Sequence, residues 1–411
     1  MRLPVFLPLG FLNRFFLLFL VFGLVLPTKA YLETISSLHA EGRFLKDSSG
    51  KTVILRGVNH HGFLDVPDGA WDAPNAALYS GMGTWNSDLV KGTLDEYRRL
   101  GFNVVRFHTI VDWWKTNPQT YKDPYRDVTY PETYRHMVED TVQWAGERGL
   151  YVIFDFYAMR NVVGRQSGQE SLPWPPWGRF SQVVGSRAEF ETIWDSVASV
   201  LGRYPNVLFE LYNEPHGDSA AQEEWFKFVG EVLPIMRAHT KNPVIVQWDY
   251  MCWVNLDYPP PQYSASTLVW IEKHPLQDSN IVYGVHLYRN SGNGGPGLAH
   301  RSAGGLTNLW ERADIEKALT FSLLPDSFNR LQKPLLVTEV GAFLSHGGED
   351  KNREILCFEN ILSLLNQWGV GYVGWAWESD QQLDHGMLHD GATNEAGKVF
   401  LDSLKAQPGI K

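Results

Sequence analysis

Eight short apolar runs, each followed by a stretch of other chemistry, constrain this chain more than any other feature. They cover residues 52–58, 103–108, 151–156, 207–211, 244–248, 281–286, 335–338 and 372–375. Each is apolar, β-branched or aromatic, as strands covered on both faces require. Helical patterns lie between them, at 87–100, 133–148, 187–204, 223–239, 312–323 and 353–368. Leu100-Gly101, Arg148-Gly149 and Trp368-Gly369 put a glycine just past the last helical turn. Eight such units in about 360 residues predict one α/β domain, a (β/α)8 TIM barrel with enlarged top loops. A doubly wound sheet lacks support, because no GxGxxG follows an early strand. Residues 38–44 and 53–55, around Asp47-Ser48-Ser49-Gly50, predict a hairpin that caps the barrel bottom. The glycine-rich residues 291–305 read as a long loop on the barrel top.

The first 30 residues stand apart. Residues 15–26 are apolar, follow Arg2 and Arg14, and end at Pro27-Thr28-Lys29-Ala30. Basic residues, a short apolar core and a small boundary residue describe an export signal cut after Ala30. The run is short of the roughly 20 residues a spanning helix needs, although a retained membrane anchor is the alternative. Residues 1–30 are therefore expected to be a signal peptide, and 31–411 a secreted body with no further membrane contact. Net charge is −10, and no basic run occurs, so nucleic acid is a poor partner. Cys252 and Cys357 are the only cysteines, and their pairing is left open. No CxxC or HExxH spacing supports a metal site.

In a barrel of this kind the active site lies at the carboxyl ends of the strands. The first strand ends Asn59-His60-His61, the second carries Arg106 and His108, and the third ends Asp155-Phe156-Tyr157. Later strands end in Tyr212-Asn213-Glu214-Pro215, His286-Leu287-Tyr288, Thr338-Glu339-Val340-Gly341 and Trp375-Ala376-Trp377-Glu378. Glu214 and Glu339 each leave a strongly apolar strand and can point into one mouth. A single strand-end glutamate is as readily a helix cap or a solvated acid. Two of them, with Asn213, Arg106, His286 and Tyr288 as partners, suit a double-displacement glycosidase, whose carboxyl groups lie about 5–5.5 Å apart.

Aromatic content points the same way, with 16 Trp, 17 Tyr and 22 Phe. Trp71, Trp85, Trp113, Trp114, Trp174, Trp177, Trp253 and Trp310 lie in or beside predicted top loops, where flat faces can stack on pyranose rings, packing within the loops being the alternative for each. Trp194, Trp225, Trp270 and Trp368 lie inside helical patterns and read as core.

Leu55-Arg56-Gly57-Val58-Asn59, Gly101-Phe102-Asn103-Val104-Val105-Arg106, Asn213-Glu214-Pro215, His286-Leu287-Tyr288, Glu339 and Gly374-Trp375 occur in that order. The ordered set resembles glycoside hydrolase family five, the cellulase family, over nearly the whole body. The resemblance implies that Glu214 is the general acid/base and Glu339 the nucleophile. It implies that Asn213 binds the sugar 2-hydroxyl and that Arg106 and Tyr288 hold the nucleophile ionised and oriented. His286 would stand beside the acid/base, and Trp375 would floor the subsite next to the scissile bond. One departure is visible: the family commonly has His two residues after the third-strand Asp, where this chain has Tyr157, and His108 is expected in nearby space.

The expected activity is retaining hydrolysis of β-1,4-linked glucan within the chain, by a monomer that needs no metal or organic cofactor. β-Mannan, xyloglucan and exo-acting cleavage of β-1,3-glucan are the alternatives of the same family. A carbohydrate-binding barrel without catalysis is the alternative from another class. A Schiff-base lyase is disfavoured, since Lys51 and Lys333 lie at strand beginnings, the wrong face.

Overall fold

The computed structural model describes residues 35–60, 64, 87–117, 121–122, 129–130, 133–158, 184–215, 219–247, 274–289, 310–322, 331–344, 348–380, 385–406 and 408. These residues belong to one compact unit, Glu33–Lys411. Its centre is a closed barrel of eight parallel strands: β1 (Arg56–His60), β2 (Val104–Ile110), β3 (Tyr151–Ala158), β4 (Val207–Glu210), β5 (Val244–Val246), β6 (Ile281–Tyr288), β7 (Leu335–Gly341) and β8 (Gly371–Gly374). Sequence neighbours are barrel neighbours, and Val373 beside Gly57 closes β8 onto β1. The predicted (β/α)8 fold is the observed one.

Among the described residues, the barrel helices are α1 (Ser87–Leu100), α2 (Tyr134–Glu147), α3 (Arg187–Leu201), α4 (Ser219–Arg237), α5 (Arg312–Ser322), α6 (Glu349–Trp368) and α7 (Glu395–Lys405). The Thr133 hydroxyl caps α2 by accepting from His136 N, and Ser186 caps α3 by accepting from Glu189 N. Gly101 and Gly369 leave α1 and α6 at φ 92° and 67°, where a Cβ would be strained. Helix α7 was not among the predicted helical patterns. Strand β1 starts later than predicted, because Thr52 pairs with Lys46 instead of joining the barrel. The amino-terminal hairpin also differs: His39–Glu41 pairs with Phe44–Lys46 around Gly42, and Asp47-Ser48-Ser49-Gly50 makes a second turn.

Alternate strand residues face inward, and they sort by height. At the bottom, Val104, Ile153, Leu208, Ile245, Val282, Leu336 and Val373 form an apolar plug with Leu38 and Leu45 of the hairpin. The hairpin caps the bottom as expected. Asn280 accepts from Ala40 N at 2.8 Å and donates to Leu38 O at 3.3 Å, and the Tyr151 hydroxyl donates to Ser36 O at 3.0 Å. Each fully buried Leu or Val contributes about 1.5–3 kcal/mol relative to exposure. Above the plug the interior turns polar, with Asn59, Arg106, Asp155, Glu210, Gln247 and Thr338 all buried. The outward residues, Phe154, Phe156 and Phe209 among them, pack with Phe190 and Trp194 of α3 in the main core.

The polar layer ends where β6 leaves the barrel. Arg289, just past Tyr288, is buried and reaches α6, donating to Glu354 Oε1 and to Asp350 Oδ1 at 2.9 Å. Burial pushes the Glu354 carboxyl up to about 7 against the pull of Arg289. An acid protonated more readily when folded costs stability as pH rises from its ordinary value through the raised one. The thermal midpoint of the wild type should therefore fall relative to Glu354→Gln between pH 4.5 and 7. A pH-independent difference between the two would contradict the assignment.

Strand packing makes its own demand on Gly57. A Cβ there would lie 1.7 Å from the Val104 carbonyl oxygen, and backbone cannot step aside. Gly92, inside α1, has nothing within 4 Å of an added Cβ. Gly57→Ala should cost about 3 kcal/mol or more, whereas Gly92→Ala should stabilise by about 0.5–1 kcal/mol. Paired denaturant unfolding curves would show the opposite signs.

Candidate active site

Arg106 is the centre of the polar interior. Strand β2 aims it inward, and its side chain is fully buried. Nε donates to Glu210 Oε2, and Nη1 donates to Asn59 Oδ1 at 3.0 Å and to Glu339 Oε1 at 2.7 Å. Nη2 donates to Asn213 Oδ1 at 2.9 Å and faces Asp155 Oδ2 at 2.8 Å. Only a planar fork of five donors can serve so many acceptors at once. Burial opposes the charge on Arg106, but Asp155, Glu210 and Glu339 together outweigh it and hold the guanidinium protonated. Asp155 takes the corresponding penalty. Neither of its oxygens meets a well-aligned donor, and burial pushes its carboxyl well above the usual range despite Arg106.

Strand β7 departs from simple alternation above this layer. Its register against β8 shifts between Val337 and Val340, and that of β6 against β7 shifts between Val285 and His286. Consecutive residues Thr338 and Glu339 consequently both reach the barrel interior, Thr338 to Glu210 and Glu339 to Arg106. The Tyr288 hydroxyl donates to the other oxygen of Glu339 at 2.7 Å. Burial raises the Glu339 carboxyl above its ordinary value, with His286, Arg106 and the Tyr288 hydrogen bond pulling the other way.

Glu214 faces Glu339 from the end of β4. Its backbone is left-handed, at φ 46°, a conformation that costs a non-glycine residue on the order of 1 kcal/mol. Gln247 Oε1 accepts from the Glu214 backbone N–H at 3.1 Å. The Glu214 side chain is 18% exposed against 5% for Glu339, so it is the more open of the two. His286 Nδ1 lies 2.8 Å from Glu214 Oε1 and 3.2 Å from Glu339 Oε2. One donor or acceptor atom from each of Glu214, His286 and Glu339 falls within 4.8 Å of the others. A cation could span that distance, but both Glu339 oxygens already accept from Arg106 and Tyr288. The set is arranged to handle protons.

A ring cluster forms the adjoining wall. Tyr157 and Trp375 stack with centroids 5.9 Å apart and planes 24° apart. His108 meets both edge-on, at 4.4 Å and 5.1 Å, and its Nε2 is 3.1 Å from Asn59 Oδ1. His108 thus occupies the space beside Tyr157, as expected. Ile110, Tyr288 and Ala376 complete this small apolar cluster, and the Trp375–Ala376 peptide is cis.

Residues 47–381 match the sequence model of the cellulase family, glycosyl hydrolase family 5. The chain belongs to glycosyl hydrolase family 5. Among curated relatives of the family, endoglucanase E-5 of Thermobifida fusca is 22% identical over 91% of this chain and 62% of its own length. Endoglucanase A of Butyrivibrio fibrisolvens is 22% identical over 62% of this chain and 46% of its own. The chain therefore spans less than two thirds of these relatives. The family fold recurs in a β-glucanase from Saccharophagus degradans solved with cellotetraose, with TM-score 0.60 and 18% identity over 90% of this chain and 94% of that one. An endocellulase from Pyrococcus horikoshii, also solved with cellotetraose, gives TM-score 0.62 and 17% identity over 90% of this chain and 100% of that one.

Every site residue expected from the sequence lies in this region. Glu214, Glu339, Arg106, Asn213, His286 and Tyr288 join one hydrogen-bonded network, and His108, Tyr157 and Trp375 flank it. The tryptophans divide differently. Trp114 is fully buried against Phe154, and Trp310 lies under the Arg353 guanidinium at 4.5 Å, so both are packing residues. Trp113 is partly buried beside the mouth cluster, and Trp194, Trp225 and Trp368 are core as expected. Trp71, Trp85, Trp174, Trp177, Trp253, Trp270, Cys252 and residues 1–30 and 291–305 lie outside the described residues. Cys357 is a buried thiol on α6, pushed up by burial. Sequence reasoning missed Glu210, Gln247 and Thr338. The available signal was an acid two residues after the inward Leu208, inside an otherwise apolar strand.

Arg106→Ala would leave Glu210 and Glu339 buried without their cation, and should cost about 3–5 kcal/mol. Arg106→Lys keeps the charge with fewer donors and should unfold between that variant and the wild type. Equal denaturation midpoints for all three would remove Arg106 from the centre of the network.

Proposed function

We propose that this chain is a secreted, retaining endo-β-1,4-glucanase in which Glu214 is the acid/base and Glu339 the nucleophile. One observation carries the reading: two strand-end glutamates with oxygens within 4.8 Å, one enclosed by donors and one open to the mouth. That separation suits attack by a carboxylate better than a gap wide enough for water. The endoglucanase names of the relatives and the cellotetraose bound in similar barrels support a β-glucan substrate. The apolar run after Arg14 supports export.

Glu339 bonds to the anomeric carbon as the bond from that carbon to the leaving oxygen breaks, and Glu214 gives that oxygen its proton. Arg106 and Tyr288 favour the ionised nucleophile by donating to it. The ester removes the charge of Glu339, so Glu214 can take a proton from water as the water oxygen attacks the anomeric carbon and frees Glu339. Two inversions leave the β configuration unchanged. Asn213 Oδ1 accepts from Arg106, so its amide donor end is left to meet the sugar 2-hydroxyl. Trp375 and Tyr157 offer ring faces to the pyranose.

Hydrolysis of a panel comprising β-1,4-glucan, β-mannan, xyloglucan and β-1,3-glucan should favour the first, with viscosity falling early, as internal cleavage demands. On an activated aryl β-cellobioside, Glu214→Ala with azide should give a β-glycosyl azide, since azide needs no base. Glu339→Ala with azide should give the α product, by attack through the emptied space. Interchanged products would reverse the two roles, and an α-anomer released first by the wild type would sink the retaining mechanism.

A further inference from the structure

We propose that Glu210 and Gln247 are positioning residues that fix His286 as a neutral ring with its proton on Nδ1, aimed at both Glu214 and Glu339. The catalytic consequence rests on the proposed roles of the two glutamates; the hydrogen-bond pattern itself does not.

Glu210 is fully buried on β4, four residues before Glu214. Its Oε2 accepts from Arg106 Nε, and its Oε1 accepts from the Thr338 hydroxyl at 2.9 Å and from Gln247 Nε2. A carboxylate in salt bridge with an arginine only accepts, so the NH2 end of Gln247 must face it. Turning the amide over would set its oxygen against Glu210 and its NH2 against the Glu214 backbone N–H. Both contacts would then be repulsive. Thr338 has given its one hydroxyl hydrogen to Glu210, so its 3.3 Å contact with Nε2 offers only a further acceptor.

The amide carries two hydrogens. One goes to Glu210, and the other points to His286 Nε2 at 3.0 Å. That nitrogen therefore accepts and bears no proton. The neutral ring then carries its hydrogen on Nδ1, between Glu214 Oε1 and Glu339 Oε2. A doubly protonated ring would set a second N–H against the amide NH2. The opposite tautomer would turn a lone pair toward the Glu339 carboxylate and, at Nε2, set an N–H against the amide NH2. With the proton on Nδ1, one hydrogen serves whichever carboxylate is ionised: Glu339 before the glycosyl ester forms and Glu214 after it.

The test is nitrogen NMR of the full chain labelled in histidine, with the His286 signals identified by their loss in His286→Gln. At neutral pH the wild type should show a protonated Nδ1 and a bare Nε2. Gln247→Glu puts an acceptor against Nε2 and should place a proton there. Glu210→Gln removes one of the two contacts that orient the Gln247 amide and should mix the two ring forms. On β-glucan oligosaccharides each variant should lose kcat on the order of 100-fold with little change in KM, the loss expected of a misaligned reacting group. A wild-type ring protonated on Nε2, or on both nitrogens, would overturn the proposal, as would spectra unchanged in Gln247→Glu. The wild-type spectrum decides the matter even where a variant does not fold. Because it is taken without substrate, a correct ring form in a chain that leaves β-glucan intact supports the positioning argument and rejects the proposed activity.

Discussion

Arg106 carries its charge on the barrel axis, where no bulk water reaches it. Taking an ion out of water costs several kcal/mol, and only close, well-aligned acceptors recover that cost. Glu210, Asn59, Glu339 and Asn213 supply the acceptors from the ends of three strands, β1, β4 and β7. The arrangement works in both directions, because the same arginine is what lets Glu210 and Glu339 lie buried. Asp155 is the exception that shows the limit: a third carboxylate within reach of one guanidinium is driven toward its neutral form. Beneath the network, the apolar plug and the hairpin keep water out from below. The low dielectric that results makes each of these contacts strong and makes each loss costly.

Regular barrel geometry alone would not bring Glu214, Glu339 and Thr338 to one mouth. Strict alternation on β7 would send either Thr338 or Glu339 outward, and the irregular register brings both inside. Glu214 leaves β4 through a left-handed residue that glycine would occupy more easily. These irregularities cluster at the mouth, whereas the lower barrel keeps regular pairing, as on β3 from Val152 to Asp155 against β4. Strain placed where function needs it, and held by neighbouring hydrogen bonds, is the expected signature of an active site.

The barrel was legible because its signal is local and repeated. An apolar run such as residues 281–286 and a helix that ends on Gly101 each carry their own pattern. The two glutamates were legible because each follows such a run directly. Glu210 was not, since its importance lies in which strands stand beside β4, and a lone acid within a strand says nothing of its acceptor role. Gln247 follows a short strand with no motif of its own, and only the folded register brings it between Glu210 and His286. Trp114 was open between sugar stacking and packing for the converse reason: nearness to a loop in sequence did not prevent its ring from turning into the core beside Phe154. The hairpin turn was placed at Asp47-Ser48-Ser49-Gly50 because both turns carry glycine, and pairing across Gly42 depends on which strand Thr52 returns to.

The proposed reaction asks one thing more of the network. When Glu339 becomes an ester it no longer balances Arg106, although it stays within reach of the guanidinium. Held by Glu339 alone, Arg106 would then be a buried, uncompensated charge, and the intermediate would bear a cost of several kcal/mol. Glu210 removes that difficulty, because its contact with Nε is independent of the nucleophile and remains through both half-reactions. The guanidinium therefore keeps its place while the charge beside it disappears and returns. Glu339 is released into the same donors it left, so the second half-reaction needs no rearrangement of the interior. A nucleophile supported by a cation needs a second anion to support that cation, and in this barrel Glu210 meets the requirement from the strand that also presents Glu214.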